Sequence, residues 1–347
     1  MEIINTTGRK REKYHVKIKY SPFWECALGI AAITNKPLLD SLERPQRYWH
    51  EIKQSLSVEV REHLDYVEEN NTWKALLQLL HHRDFSTLPE FTTFIQQLSS
   101  TDFKCICLPF VGMEHQATRK RAASGDPASI HELKALTVDN MFFPAYITFI
   151  CSAEVQALKT HLIAVMTGWY EKVIKPEIDQ LTAILQTDYE AKARMKTKMD
   201  SEELVQWATG GIHYAPEPSV HNVLLIPHFI YRPWNIEADI EGTKVFYYPV
   251  ANTSISPNDP YLPSNFLVLK HKALADEVRL RIVKLLFERN HSLQDITDKL
   301  GMGKSTIHHH LKLLRSAQLV EINDATYVLK RKAVESLAKE LDLYFHQ

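Results

Sequence analysis

The stretch LGMGKSTIHHHLKLL (Leu300–Leu314) decides the fold at the C-terminal end of the chain. It admits three readings: GKST as the end of a phosphate-cradling loop, HHH as a metal cluster, or the whole as a helix that reads DNA. A phosphate loop needs G-x-x-x-x-G-K-[ST] between a strand and a helix, so that backbone N–H groups wrap the phosphates. Gly303, Lys304 and Ser305 supply its end, but the first glycine position is Asp298, an anion, and the preceding segment has helical spacing. The metal reading fails on geometry. A helix turns about 100° per residue, so His308, His309 and His310 point three ways, whereas one ion takes ligands from one face.

The DNA reading fits the pattern. Ile307, Leu311 and Leu314 fall at i, i+4 and i+7 and define a buried face. Ser305, His309 and Lys312 lie opposite, flanked by Thr306 and His308, while His310 sits nearer the buried side. These are donors able to reach base edges and phosphates from the major groove. Lys304 to Thr306 occupy the helix start, where a recognition helix makes its contacts and where the backbone favours phosphate.

Working outward, Ser292 caps LQDITDKL, which stops at Gly301, and Asp276 caps EVRLRIVKLLFER, whose apolar stripe is Val278, Ile282, Leu285 and Leu286. A short helix over Phe266–Ala275 precedes them. LVEIN and TYVLK, around Asp324–Ala325, read as a hairpin, and a last helix runs over about Lys332–Phe345. Helices, a helix–glycine turn–helix and a hairpin make a winged helix-turn-helix.

Upstream, VANTSISPNDPYLPSNF (Val250–Phe266) carries Pro257, Pro260 and Pro263 and continues neither a helix nor a central strand. It divides the chain into domains at 1–262 and 263–347. A chain of 347 residues exceeds what one core usually holds. The charge divides in the same place: Ser264–Gln347 has 14 Lys and Arg against 10 Asp and Glu, and the remainder 27 against 32. A basic module on an acidic body points to a nucleic-acid partner.

The N-terminal domain reads as mainly α with a few short strands. KYHVKIKY (Lys13–Tyr20) alternates like a strand, and SPFWECALGIAAIT opens with a Ser cap and Pro22 at the first helical position. Helical spacing recurs at Ser57–Asn70, Thr72–His82, Leu88–Ser99, Asp126–Leu136 and Ser152–Trp169. It returns at Glu171–Thr187, where Pro176 marks a break or kink. NVLLIPHFIY and KVFYYPV read as a strand pair.

LKHKALADEVRLRIVKLLFERNHSLQDITDKLGMGKSTIHHHLKLLRSAQLV (Leu269–Val320) resembles the DNA-binding core of bacterial ArsR-type winged-helix regulators. The matching pieces are ALAD-x-x-R-L-R-I, L-x-x-I-x-x-x-L-G and K-S-T-x-x-x-H-L-K-L-L-R, in that order. The resemblance implies a homodimer paired partly through the outer helices (Phe266–Ala275 and Lys332–Phe345), with each protomer reading half of a palindromic operator on double-stranded DNA, most often as a repressor. With Arg315, which closes the motif, the DNA-contacting set is Lys304, Ser305, Thr306, His308, His309, Lys312 and Arg315. Two departures follow. The family's metal sensors carry C-x-C before the recognition helix or acid and His pairs in the last helix. Here Ser292–Leu300 has no Cys and Lys332–Phe345 no His, so no metal site is expected. The wing tip, Asn323 and Asp324, is acidic, which argues against a minor-groove contact. SPFWE and VLLIP resemble the long N-terminal domain of a subset of these regulators.

In that domain Cys105 and Cys107 form a C-x-C; on a strand both thiols would face one side and suit a soft metal, arsenite or an oxidised pair, and otherwise they are small core residues. His81 and His82 end a helix, where imidazoles suit the negative dipole end. RKREK (Arg9–Lys13) and TRKRA (Thr118–Ala122) are basic clusters, either solvated or DNA-facing. The six Trp fill a core or line a pocket for a small-molecule effector. G-x-S-x-G, H-E-x-x-H, a complete phosphate loop and a dinucleotide fingerprint are all missing, so a regulator with no cofactor is expected in preference to the alternative, an enzyme carrying a DNA-binding module. Sparse cysteines, no apolar leader and no membrane-length apolar run lead to a cytoplasmic protein.

Overall fold

Alternation in HVKI makes β1 (His15–Ile18), with Val16 inward and His15 and Lys17 outward. The computed structural model describes residues 13–259, 261–323 and 325–345. Arg9–Glu12 of the first basic cluster, Pro260 of the linker and Asp324 of the wing lie outside the described residues. A helical body follows β1: α1 (Pro22–Ile33), α2 (Lys36–Leu39), α3 (Gln46–Ser55), α4 (Val58–Asn70), α5 (Trp73–His82), α6 (Leu88–Gln97) and α7 (Ser100–Cys107). It continues through α8 (Gln116–Ala123), α9 (Pro127–Leu136), α10 (Phe143–Ser152), α11 (Val155–Trp169), α12 (Ile178–Met195) and α13 (Ser201–Ala208). Among the described residues no single helix is long and apolar enough to cross a membrane.

The chain then makes β2 (Asn222–His228), β3 (Ile236–Ile240) and β4 (Thr243–Pro249). The sheet order is β1-β2-β4-β3; β1, β2 and β4 run parallel and β3 antiparallel to β4. The expected pairing of the two β-rich runs is present, but in parallel, with a hairpin strand between them in sequence. Both are buried along nearly their whole length, as strands covered on two faces must be. Their period of two sorts the side chains. Leu224, Ile226, Val245 and Tyr247 face the helical body, while Val223, Leu225, Phe246 and Tyr248 face Tyr14 and α13.

Helix α1 is buried on every side because it passes through the middle of this body. Ser21 caps it and Gly29 lets it approach α11: a Cβ there would stand 2.8 Å from the Trp169 ring. Glu25 is buried on the same helix. Its carboxylate accepts the backbone N–H of Phe229 and of Ile230 (2.9 Å), which ties α1 to the end of β2. Burial pushes the Glu25 carboxyl up to about 7, against the pull of those two N–H groups. Asp188 on α12 makes a second tie. It accepts from Tyr248 Oη (2.9 Å), Ala251 N (2.8 Å) and Ser254 Oγ (3.0 Å), with Lys192 Nζ 3.5 Å away.

Three expectations change. The segment holding Cys105 and Cys107 is helix α7, capped by Ser99, rather than a strand. Two residues on a helix are about 200° apart, so the thiols diverge, with Cys107 buried and Cys105 half-buried; burial holds the Cys107 thiol far above its ordinary value. A shared soft-metal or disulfide site loses its geometry. His81, read as a dipole-end imidazole, is enclosed against Tyr247 Oη, and burial lowers it to about 3, so it stays neutral; its neighbour His82 stacks on Phe94. The helix expected over Ser152–Trp169 starts at Val155, because Glu154 accepts from Gln156 N (2.9 Å) and Ala157 N (2.6 Å) and caps it, while Ser152 ends α10. At Pro176 the chain stays helical: a π turn (Tyr170–Ile174) and a 3-10 turn (Lys175–Glu177) join α11 to α12. Of the second basic cluster, Arg119 donates to Leu108 O (2.9 Å) and Arg121 to Ser129 Oγ (3.1 Å), so both hold the fold.

After β4 come α14 (Asn252–Ile255) and α15 (Asn265–Leu274), then a second core around Ile282, Leu286, Ile296, Ile307, Leu311 and Leu314.

Two stability outcomes follow from the buried titratable groups. His161 and His228 join His81 at about 3, each because of burial first. The unfolded chain takes up these protons near 6.5 and the folded chain only near 3, so stability falls as pH drops from 6.5 towards 3. Glu25, raised, works in the opposite sense, and its contribution declines as pH rises from 4.5 through 7. Urea midpoints are expected to drop on acidification below about pH 6; a flat profile would mean solvated imidazoles. Glu25→Gln leaves an N–H facing an amide NH₂ and is expected to lose about 1–3 kcal/mol in the same titration at pH 7.

Candidate nucleic-acid interface

The C-terminal module runs α16 (Glu277–Glu288), β5 (His291–Ser292), α17 (Leu293–Leu300), α18 (Lys304–Ser316), β6 (Val320–Asn323), β7 (Thr326–Leu329), α19 (Arg331–Glu335) and α20 (Leu337–Phe345). Asp276 caps α16 by accepting Arg279 N (2.9 Å). Ser292 and Asp295 form a reciprocal box at the start of α17, with Ser292 Oγ accepting Asp295 N and Asp295 accepting Ser292 N. Gly301 ends α17 at φ 64°, a left-handed turn that glycine adopts freely. The chain reverses and α18 starts at Gly303. The hairpin β6–β7 is present, and β5 extends it to a sheet of order β5-β7-β6.

On α18 the apolar positions Ile307, Leu311 and Leu314 are fully buried and lock the helix to the module's core. That fixes its rotation. Lys304, Ser305, Thr306, His308 and His309 are exposed together at its first two turns. Gly303 at the cap brings no side-chain oxygen, so no side chain caps the first-turn N–H groups. Cations and free N–H groups at one helix end form an anion-binding surface. His310 turns inward, its Nδ1 3.7 Å from Asp276 Oδ1, so it belongs to the packing between α16 and α18. The three histidines diverge, and no group of three or more metal-ligating side chains occurs among the described residues.

Residues 276–321 match the family model described as Bacterial regulatory protein, arsR family. The C-terminal module is of the ArsR type. It is the double-stranded-DNA-binding domain of a transcription regulator, and α18 is the helix expected to read the DNA. No curated protein and no solved structure matches the chain.

Lys312 and Arg315, further along α18, are half-buried. Lys312 Nζ donates to the carbonyl of Pro37 on α2 (2.7 Å), so a cation of the recognition helix is held by the N-terminal domain. Burial lowers its pKa, opposed by the nearby Asp40 carboxylate and aided by Arg315. Two further contacts seat the ArsR-type module. Lys330 Nζ donates to Gly211 O (3.2 Å), and the Phe266 ring of α15 covers Gly210, where a Cβ would stand 2.2 Å from it. Pro37, Asp40 and Gly210 carry no motif, and no local signal in the sequence marks them.

The last helix, expected as one piece, breaks at Ser336. Its hydroxyl donates to Glu340 Oε1 (2.6 Å), and its carbonyl accepts Glu340 N as the first bond of α20. Glu340 also receives Lys270 Nζ (2.6 Å), which joins the two outer helices, α15 and α20, within one protomer.

Replacing Lys304 by Ala is expected to weaken DNA binding and lower the log–log salt slope by about 1, since each neutralised phosphate adds roughly that much. Lys312→Ala removes the hold of α2 together with the expected phosphate contact, and is expected to lose less affinity than Lys304→Ala. Fluorescence anisotropy at several salt concentrations reads both. Unchanged affinity and slope in both variants would reduce α18 to a packing helix.

Proposed function

We propose that this protein is a cytoplasmic, homodimeric repressor that reads a palindromic operator through α18, with the N-terminal domain as its effector-binding module and no catalytic role. The observation that carries the reading is the exposure of Lys304, Ser305, Thr306, His308 and His309 at the uncapped start of a helix whose opposite face is fully buried. Pairing of protomers is supported by the outer helices. Leu337, Leu341 and Tyr344 are only half-buried within one chain, and Phe345 is 68% exposed beside them. A role for the N-terminal domain in control is supported by the grip of α2 on Lys312.

The primary test is a gel shift with DNA from the protein's own promoter, against scrambled competitor at physiological salt. Binding that survives competitor supports the regulator; binding that competitor abolishes at every operator length tried overturns it. Phe345→Glu is expected to lower the dimer fraction in light scattering, and a fully dimeric variant would move the dimer interface to the N-terminal domain. Gly210→Ala, which puts a methyl into the Phe266 ring, is expected to loosen the module from the N-terminal domain and tighten DNA binding. Weaker binding by a folded G210A protein would mean that the docked arrangement is the DNA-competent one.

A further inference from the structure

A cavity of about 250 Å³ opens where β1 runs into α1, and none of the machinery above uses it. It lies outside the carboxyl end of a parallel strand, the position at which mixed α/β sheets commonly receive ligands. Its walls are aromatic. Tyr20 and Tyr189 pair with ring centroids 5.2 Å apart, and Phe23, Trp24 and Phe85 also line the space. Trp24 does so although it is 5% exposed.

The charges around the cavity select the sign of that ligand. Lys19 and Asp84 pair at 2.7 Å, but their side chains are 43% and 76% exposed, so the pair is weak and readily exchanged. Arg83 has no carboxylate within ion-pair distance among the described residues; its guanidinium rests on Phe85 (5.0 Å) and Phe94 (4.8 Å) and donates to Glu90 O. Ser21, at the N-terminus of the twelve-residue α1, also lines the space and brings the positive end of that helix to it. Lys19 balances the charge of the lining Asp84, and Arg83 adds a further cation that disfavours a cationic ligand. The excess is positive.

We propose that this cavity binds a small aromatic carboxylate, with its ring against Tyr20, Tyr189 and Phe85 and its carboxylate at Arg83 and Lys19. The volume suits one or two fused rings. From the cavity α1 leads directly to α2, whose Pro37 carbonyl holds Lys312 of the recognition helix. Occupancy at the start of α1 therefore bears on the seating of the DNA-binding module. This effector role, unlike the binding itself, rests on the regulator reading.

Calorimetric titration of the full chain with 2-naphthoate, and with uncharged 2-naphthalenemethanol as control, tests the site. Saturable binding of one acid per chain is expected, about tenfold weaker or more for the alcohol and for Arg83→Gln. Arg83 is exposed, so its variant folds. No saturation up to about 5 mM acid, equal affinity for acid and alcohol, or indifference to Arg83→Gln would overturn the assignment. Gel shifts with and without 2-naphthoate separate the two levels. Naphthoate binding with unaltered DNA affinity removes the effector role alone, and naphthoate binding by a protein that never binds DNA sinks the regulator reading alone.

Discussion

The seat of the DNA-binding module depends on one buried carboxylate. Asp188 is fully enclosed, and a lone charge there would be prohibitive in free energy. It is tolerated because three donors converge on it and Lys192 stands beside it. Two of those donors, Ala251 N and Ser254 Oγ, belong to the chain just after β4. The direction in which the polypeptide leaves the sheet is thereby fixed, and with it the path that brings Phe266 over Gly210 and α18 alongside α2. Removing the carboxylate would do more than loosen a loop; it would release the geometric relation between the two halves.

That relation has an electrostatic side. The N-terminal portion is acidic and the C-terminal portion basic, 27 cationic against 32 anionic residues before Ser264 and 14 against 10 from there on. At the contact itself the partner of the recognition-helix lysine is a backbone carbonyl with Asp40 nearby, a modest imitation of the phosphate and its charge. The exposed first turns of α18 stay clear of this arrangement because the buried stripe of Ile307, Leu311 and Leu314 dictates which way they face.

Much of this was legible in the sequence wherever the signal is local. The caps Ser21, Asp276 and Ser292 each accept a backbone N–H as their residue type suggests, and Gly301 takes the left-handed turn. The rotation of α18 followed from apolar spacing alone. What escaped was non-local or weakly marked. Parallel pairing of β1 with β2 joins segments separated by the whole helical body, and no turn between them announces it. Helix α7 was obscured by β-prone Ile106 between two cysteines, although Ser99 and Asp102 form a cap pair that pointed to it. The break at Glu154 hides because glutamate is a good helix former and a less common cap. Pro37 and Gly210 matter only through what the fold places against them.

On the proposed reading, in which Lys312 also meets DNA, its contact with Pro37 would make the N-terminal domain a competitor covalently attached to what it competes for. A tethered competitor acts at an effective concentration set by chain geometry, of order millimolar for short connections, so diluting the protein does not relieve it. The apparent operator affinity is then the intrinsic affinity reduced by the fraction of molecules whose recognition helix is free. Anything that alters that fraction tunes occupancy of the operator without touching a single residue that faces the bases.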